Sequence, residues 1–280
     1  MTILNLHRLP RTVGLLIAMS AGVANADEGW VAAANSRLRL NWCGVTNSAP
    51  TPPGAAALAY LEMQLDPGWK TYWRMPGDSG VPPSFDWKEA PNVAKATVYY
   101  PAPHRMADQG GEAVGYKDHV VFPIRIERRD PKQRTPINAT LEYGICKNIC
   151  VPVEVKLTAA CYGASPSIAA AVDAVPRRPG EARATDPKLL EVIGSVTASP
   201  AKLTIDVDFG AGVEDADVFV EAPDGLFVPL PKRATPDAKG RASFAIDLSK
   251  TLDPKDLLGK ELRVTMVSSK GAAEAFWIAK

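Results

Sequence analysis

Histidine is nearly missing from this chain of 280 residues, which holds three, and cysteine is held to four. The sequence has no paired-histidine motif of the kind that seats a catalytic zinc, no phosphate-binding glycine loop and no nucleophile elbow, so hydrolytic and nucleotide chemistries have no anchor in it. Neither sign of charge prevails, with 32 basic residues against 31 acidic ones. That balance argues against nucleic acid or an anionic membrane surface as partner. Long apolar runs are also lacking beyond the first 24 residues, because each later one is broken by charges or prolines.

The beginning has a basic start at Arg8 and Arg11, an apolar run from Val13 to Ala24, and small residues at Ala24 and Ala26. This is the architecture of a cleaved secretory signal over residues 1–26, with Asp27 as the expected mature start. The apolar run is well short of the roughly 20 residues that span a bilayer. The mature chain is therefore expected to be periplasmic and soluble, with no membrane span. Its charge is then close to −1, since Arg8 and Arg11 leave with the signal and no acidic residue does.

What is abundant is alternation. Leu38, Leu40 and Trp42 alternate with Arg37, Arg39 and Asn41. Ala59, Leu61, Met63 and Leu65 form a second such row, and Val120, Phe122, Ile124 and Ile126 a third. Period-two patterning with 25 prolines and many turn residues reads as short antiparallel strands. Ile137, Ala139, Leu141 and Tyr143 lead into Cys146, and Val151, Val153, Val155 and Leu157 lead away from Cys150, so the two cysteines are expected at the junction of a hairpin. Residues 27–162 read as a first β-domain. Residues 163–187 read as a linker with a short helix over Ile168–Val175, ended by Pro176. Residues 188–280 read as a second, smaller β-sandwich that holds neither cysteine nor histidine.

In a secreted chain the four cysteines, Cys43, Cys146, Cys150 and Cys161, are expected to form disulfides, and four cysteines allow three pairings. A Cys146–Cys150 bridge closes about five residues, for roughly 2 kcal/mol of chain entropy, against roughly 5 kcal/mol for the loop of about 119 closed by Cys43–Cys161. The short bridge is a poor staple in a tight loop, the kind that exchanges readily; the long one is a good staple joining the ends of the first domain. Other readings of the residues stay open at this point: an inert local clip, crossed pairings, a zinc site that recruits His104 and His119, or a Cu(I) site that recruits Met75 and Met106. No spacing marks a metal site, and none is expected, nor any cofactor. Lys147, between the paired cysteines, would favour a thiolate. Trp69, Tyr72, Trp73 and Trp87 read most simply as core, with shielding of the pair as a second use.

Five segments, Pro67–Arg74, Pro76–Pro83, Tyr100–Pro103, Gly115–Asp118 and Tyr143–Pro152, together resemble the N-terminal periplasmic domain of the thiol:disulfide interchange protein DsbD, and more closely its ScsB-type relatives. The resemblance runs over about residues 36–162. It implies an all-β chain with immunoglobulin-like sandwiches, and a thiol:disulfide oxidoreductase of the protein-disulfide reductase type. By the same likeness Cys150 is the attacking thiolate, Cys146 the resolving one, and Tyr72 an aromatic neighbour of the site, while Cys43 and Cys161 lie outside the redox motif. Electrons would come from a separate thioredoxin-like or membrane-embedded donor and pass to oxidised periplasmic proteins. One departure stands out. Family members shield the pair with an aromatic-bearing loop where this chain reads Arg105-Met106-Ala107-Asp108-Gln109-Gly110-Gly111. A non-catalytic binding module with two inert disulfides, or a Cu(I)-handling protein, is the alternative.

Overall fold

The computed structural model describes residues 29–43, 57–78, 80–108, 111–163, 166–250 and 253–280. The expected signal segment, 1–26, lies outside the described residues, as do Ser79, Gln109 and Gly110 of the quoted segments. The first half is built from β1 (Val31–Ala33), β2 (Ser36–Asn41), β3 (Ala57–Leu65), β4 (Lys70–Gly77), β5 (Ser84–Asp86), β6 (Val93–Val98), β7 (His104–Asp108), β8 (Gly111–Lys117), β9 (His119–Arg128), β10 (Asn138–Cys146) and β11 (Cys150–Thr158). A single helix, α1 (Pro166–Asp173), follows. The second half contains β12 (Lys188–Ser195), β13 (Lys202–Asp208), β14 (Asp217–Glu221), β15 (Arg241–Asp247), β16 (Glu261–Ser268) and β17 (Gly271–Ile278).

The fold is all-β and made of two immunoglobulin-like sandwiches. In the first, the sheet β1-β2-β3-β9-β6 faces the sheet β11-β10-β4-β8-β7, with β5 paired onto β10. The alternating rows explain why: Leu38, Leu40, Leu61, Met63, Phe122 and Ile124 are all buried on one face, while Arg37 and Glu127 of the same sheet stay exposed. Phe122 is the hub of this core, with Phe85, Tyr100 and Tyr116 presenting rings edge-on at 5.3–6.3 Å. Each such pair adds about 0.5–1.5 kcal/mol to what the buried area supplies. In the second sandwich β12-β13-β15 faces β14-β16-β17, with Leu203, Ile205, Val207, Phe244 and Ile246 inside.

The helix starts and stops two residues earlier than the sequence pattern predicts. Pro166 opens it, where a missing N–H costs nothing, and the residue before Pro176 is driven away from helical backbone by the proline ring. Ile168 and Ala171 pack on Val121 of β9. The segment that follows is tied down: Ala102 N–H donates to Ala174 O, Arg177 N–H to Ala272 O, and Glu274 N–H to Arg177 O.

The two sandwiches share buried surface. Phe219, Val267 and Ala272 of the second belong to the core cluster of the first, and Phe219 lies 5.6 Å from Trp73 between ring centroids. No helix among the described residues is long and apolar enough to cross a membrane.

Candidate redox site

The site is fixed by the register of one hairpin. Strands β10 and β11 pair without a slip from Asn138 opposite Thr158 to Cys146 opposite Cys150, so the last pair of the ladder is the cysteine pair itself. Lys147, Asn148 and Ile149 form the tip, closed by Lys147 N–H donating to Ile149 O at 3.2 Å. The structure bonds Cys146 to Cys150, with Cα atoms 4.1 Å apart, and Cys43 to Cys161. Cys146 is buried and Cys150 exposed.

On its other edge the tip of β10 meets β4, with Cys146 opposite Lys70 and Ile145 opposite Thr71. This brings Tyr72 to the bridge, its hydroxyl 3.2 Å from Cys150 Sγ. A disulfide sulfur carries no proton, so the phenol is the donor. Burial, and then the nearby Asp108 carboxylate, push the Tyr72 phenol up to about 12, which keeps it a donor at every physiological pH. Its ring is seated among glycines. A Cβ on Gly80 would stand 2.2 Å from a ring carbon of Tyr72, one on Gly144 3.1 Å from the ring, and one on Gly115 2.8 Å from the Tyr72 Cα. Three glycines of the quoted segments are thus the space that Tyr72 occupies.

Strand β7 closes the far side. Met106 packs with Tyr72, Ala113 and Cys146 in one small buried cluster. Asp108 has a carboxylate oxygen within 4.8 Å of both sulfurs. That carboxylate is paired at 3.0 Å with Lys70 Nζ, both side chains being under a tenth exposed, and Lys70 Nζ also donates to Ala107 O. A buried ion pair therefore stands against the disulfide, and the ammonium holds the carboxylate in place.

The structure brings Cys146, Cys150 and Tyr72 together. Lys147 instead donates to Pro67 O at 3.1 Å and lies along Gly68, so its ammonium is engaged on the β3–β4 turn. Trp73 is buried in the core, and Trp69 and Trp87 pack against it. His119 bonds to Glu62 at 2.9 Å and His104 is exposed on β7. Among the described residues, the group of His, Cys, Asp and Glu with metal-like spacing is Asp108 with the two bridged cysteines, neither histidine included. Met75 packs against the first core, whereas Met106 is at the bridge. Sequence reasoning missed Lys70, Met106 as a shield, and Asp108. The signal available was the departure at 105–111, where β7 and β8 form a hairpin whose first strand supplies an aliphatic thioether in place of an aromatic cover.

Residues 45–160 match the family model described as thiol:disulfide interchange protein DsbD, N-terminal, and residues 174–280 match the domain of unknown function DUF8393. A comparison with curated proteins finds no match. Among solved structures, the chain is similar to the N-terminal periplasmic domain of ScsB from Proteus mirabilis, with a TM-score of 0.68 at 22% identity over 90% of this chain and 97% of that one.

Proposed function

We propose, from the premise that residues 45–160 form a DsbD N-terminal-type domain, that this chain carries out thiol:disulfide interchange with other proteins through Cys146 and Cys150. The observation that carries the reading is the asymmetry of the pair: one sulfur belongs to an exposed residue at a hairpin tip, the other to a buried one. Exchange proceeds by in-line attack of a thiolate on a disulfide sulfur, so the exposed cysteine is the one a macromolecular partner can reach.

In the reduced protein the Cys150 thiolate attacks a disulfide of the partner. One S–S bond forms between chains, and the displaced partner thiolate takes up a proton. The Cys146 thiolate then attacks the Cys150 sulfur, closes the intramolecular bridge and releases the second partner thiolate. Two electrons have passed to the partner, and the bridged form is the product. Its return to the dithiol draws two electrons from a separate thioredoxin-like or membrane-embedded donor: one donor thiolate attacks Cys150, with Cys146 leaving and taking a proton, and the donor's second thiolate then closes the donor's own disulfide as Cys150 is released. Tyr72 donates to the sulfur of Cys150 and stabilises it as a thiolate. The clients on this reading are oxidised periplasmic proteins, and the secretory start of the sequence supports that compartment. Cys43–Cys161 is the structural staple.

Thiol trapping with mass mapping across a series of glutathione buffers tests this. Cys146 and Cys150 are expected to interconvert while Cys43 and Cys161 stay bridged, and Cys150→Ala is expected to form no mixed disulfide with a partner. Four cysteines that remain oxidised throughout, or full exchange by the Ala variant, would overturn it.

A further inference from the structure

The two strands that wall the redox site each carry, beside the residue that touches the bridge, a residue that grips the second sandwich. On β7, Met106 packs on Cys146 and its neighbour Arg105 turns to the other domain. The Arg105 guanidinium is 1% exposed and binds Asp217 through both Nε and Nη2, at 2.9 and 2.7 Å. It also donates to Pro231 O and to Glu112. On β4, Tyr72 reaches Cys150, and the next two residues, Trp73 and Arg74, meet Phe219 and the carboxylates of Glu221 and Glu274. Side chains of a strand alternate between its faces, so Tyr72 and Trp73 serve opposite neighbours, and the β4–β8 register shifts beyond them, between Tyr72 and Gly77. Two arginines of one sandwich are thus met by three carboxylates of the other in largely buried, partly bidentate pairs, the geometry that fixes orientation as well as distance.

We propose that the second sandwich is a clamp on the redox site: through Arg105 and Arg74 it holds β7 and β4 closed on the Cys146 side of the bridge and so sets how readily that bridge opens. The proposal gives residues 174–280 a role in the exchange reaction proposed above, and it makes Arg105 and Arg74 positioning residues. The physical link is the leaving group. When an incoming thiolate attacks Cys150, Cys146 departs as a thiolate, buried under Met106 and within 4.8 Å of the Asp108 carboxylate. Low polarity disfavours that anion, and the Asp108 carboxylate, its charge matched by Lys70, offers it no partner. Loosening β7 admits water to Cys146, lowers the cost of the leaving thiolate and speeds reduction.

The test measures access to the bridge with dithiothreitol, so it stands apart from whether the pair exchanges with a biological partner. The reagent's thiolate attacks Cys150, Cys146 leaves and takes a proton, and the second reagent thiol closes the cyclic disulfide as Cys150 is released. Rates are followed at Cys146 and Cys150 by trapping and mass mapping in wild type, in the charge-free pair Arg105→Met with Asp217→Leu, and in Glu221→Gln, which keeps its shape. Easing the departure of the Cys146 thiolate makes the double variant about tenfold faster, with Glu221→Gln intermediate. Rates within about twofold of wild type in folded variants overturn the clamp, whatever the glutathione series shows. If the double variant does not fold, Glu221→Gln decides by the same criterion. Failure of the exchange reading is seen separately, as a pair that stays oxidised in glutathione.

Discussion

Tyr72 shows how much one hydroxyl can be expected to do. It donates to Cys150 Sγ at 3.2 Å, and with its own ionisation pushed up to about 12 it stays protonated across any range in which a thiol titrates. A hydrogen bond to a charged acceptor contributes about 1.5–3 kcal/mol, and one pKa unit corresponds to about 1.36 kcal/mol. Tyr72→Phe should therefore raise the Cys150 thiol by about one unit or more. Two effects then oppose each other at neutral pH. About tenfold fewer molecules carry the thiolate, but each is about threefold more nucleophilic, leaving a net loss of about threefold in attack rate. The check is the rate of mixed-disulfide formation between pH 6 and 10, where the inflection of the Phe variant should lie higher. Superimposable profiles would remove the phenol from the reaction. The sequence placed Tyr72 near the site only through the family resemblance, since nothing in its own neighbourhood distinguishes it from Trp69 or Trp73 as core.

At the scale of elements, the legible part was the alternation. The rows at Leu38–Leu40, Ala59–Leu65 and Val120–Ile126 are buried faces of β2, β3 and β9, and the two alternating runs flanking the cysteines form one uninterrupted hairpin. Side-chain period fixes which face is inward, so such rows survive any uncertainty about neighbours. The order that sets β4 and the β7–β8 hairpin beside β10 was not legible, because the β10–β4 and β4–β8 pairing partners are 30 or more residues apart and leave no local mark. Lys70, Met106 and Asp108 reach the bridge only through that order, and Arg74 and Glu221 meet across a still longer interval. Gly115 records the same order in one atom. It lies opposite Tyr72 in the β4–β8 ladder, and a Cβ there would be 2.0 Å from the Thr71 carbonyl oxygen. Backbone cannot yield as a flexible side chain can, so Gly115→Ala should push β4 from β8. A loss of about 1–3 kcal/mol is expected for overpacking of this kind, read as a lower urea midpoint. An unchanged midpoint would mean that the two strands are not held at this separation.

The whole molecule places its two bridges to different ends. Cys146–Cys150 sits at the tip of the β10–β11 hairpin. Cys43–Cys161 sits beyond the other end of β11, where Trp42 N–H donates to Ala160 O, Ala160 N–H to Leu40 O, and Asn41 Nδ2 to Gly163 O. With its cysteines 118 positions apart in sequence, the long bridge acts chiefly on the unfolded chain, and chain entropy places an upper value of about 5 kcal/mol on its contribution, with about 2–4 typical. Cys43→Ser with Cys161→Ser should accordingly lower the urea midpoint while the hydrogen bonds beside it keep the native joint in register. Reduction of Cys146–Cys150 should proceed at the wild-type rate, because about 26 Å of strand, at roughly 3.3 Å per residue, separates the two ends of β11. The same unfolding curve carries a second reading. Phe219, Val267 and Ala272 lie in the core of the first sandwich, and the arginine–carboxylate pairs cross the same boundary. Removing the staple from the first sandwich should therefore shift the loss of both together, in one transition seen alike by Trp73 and Trp277 fluorescence in single-tryptophan variants. Two separated transitions, with only that of Trp73 moved, would show that the sandwiches are stable independently and that the shared surface does not couple them.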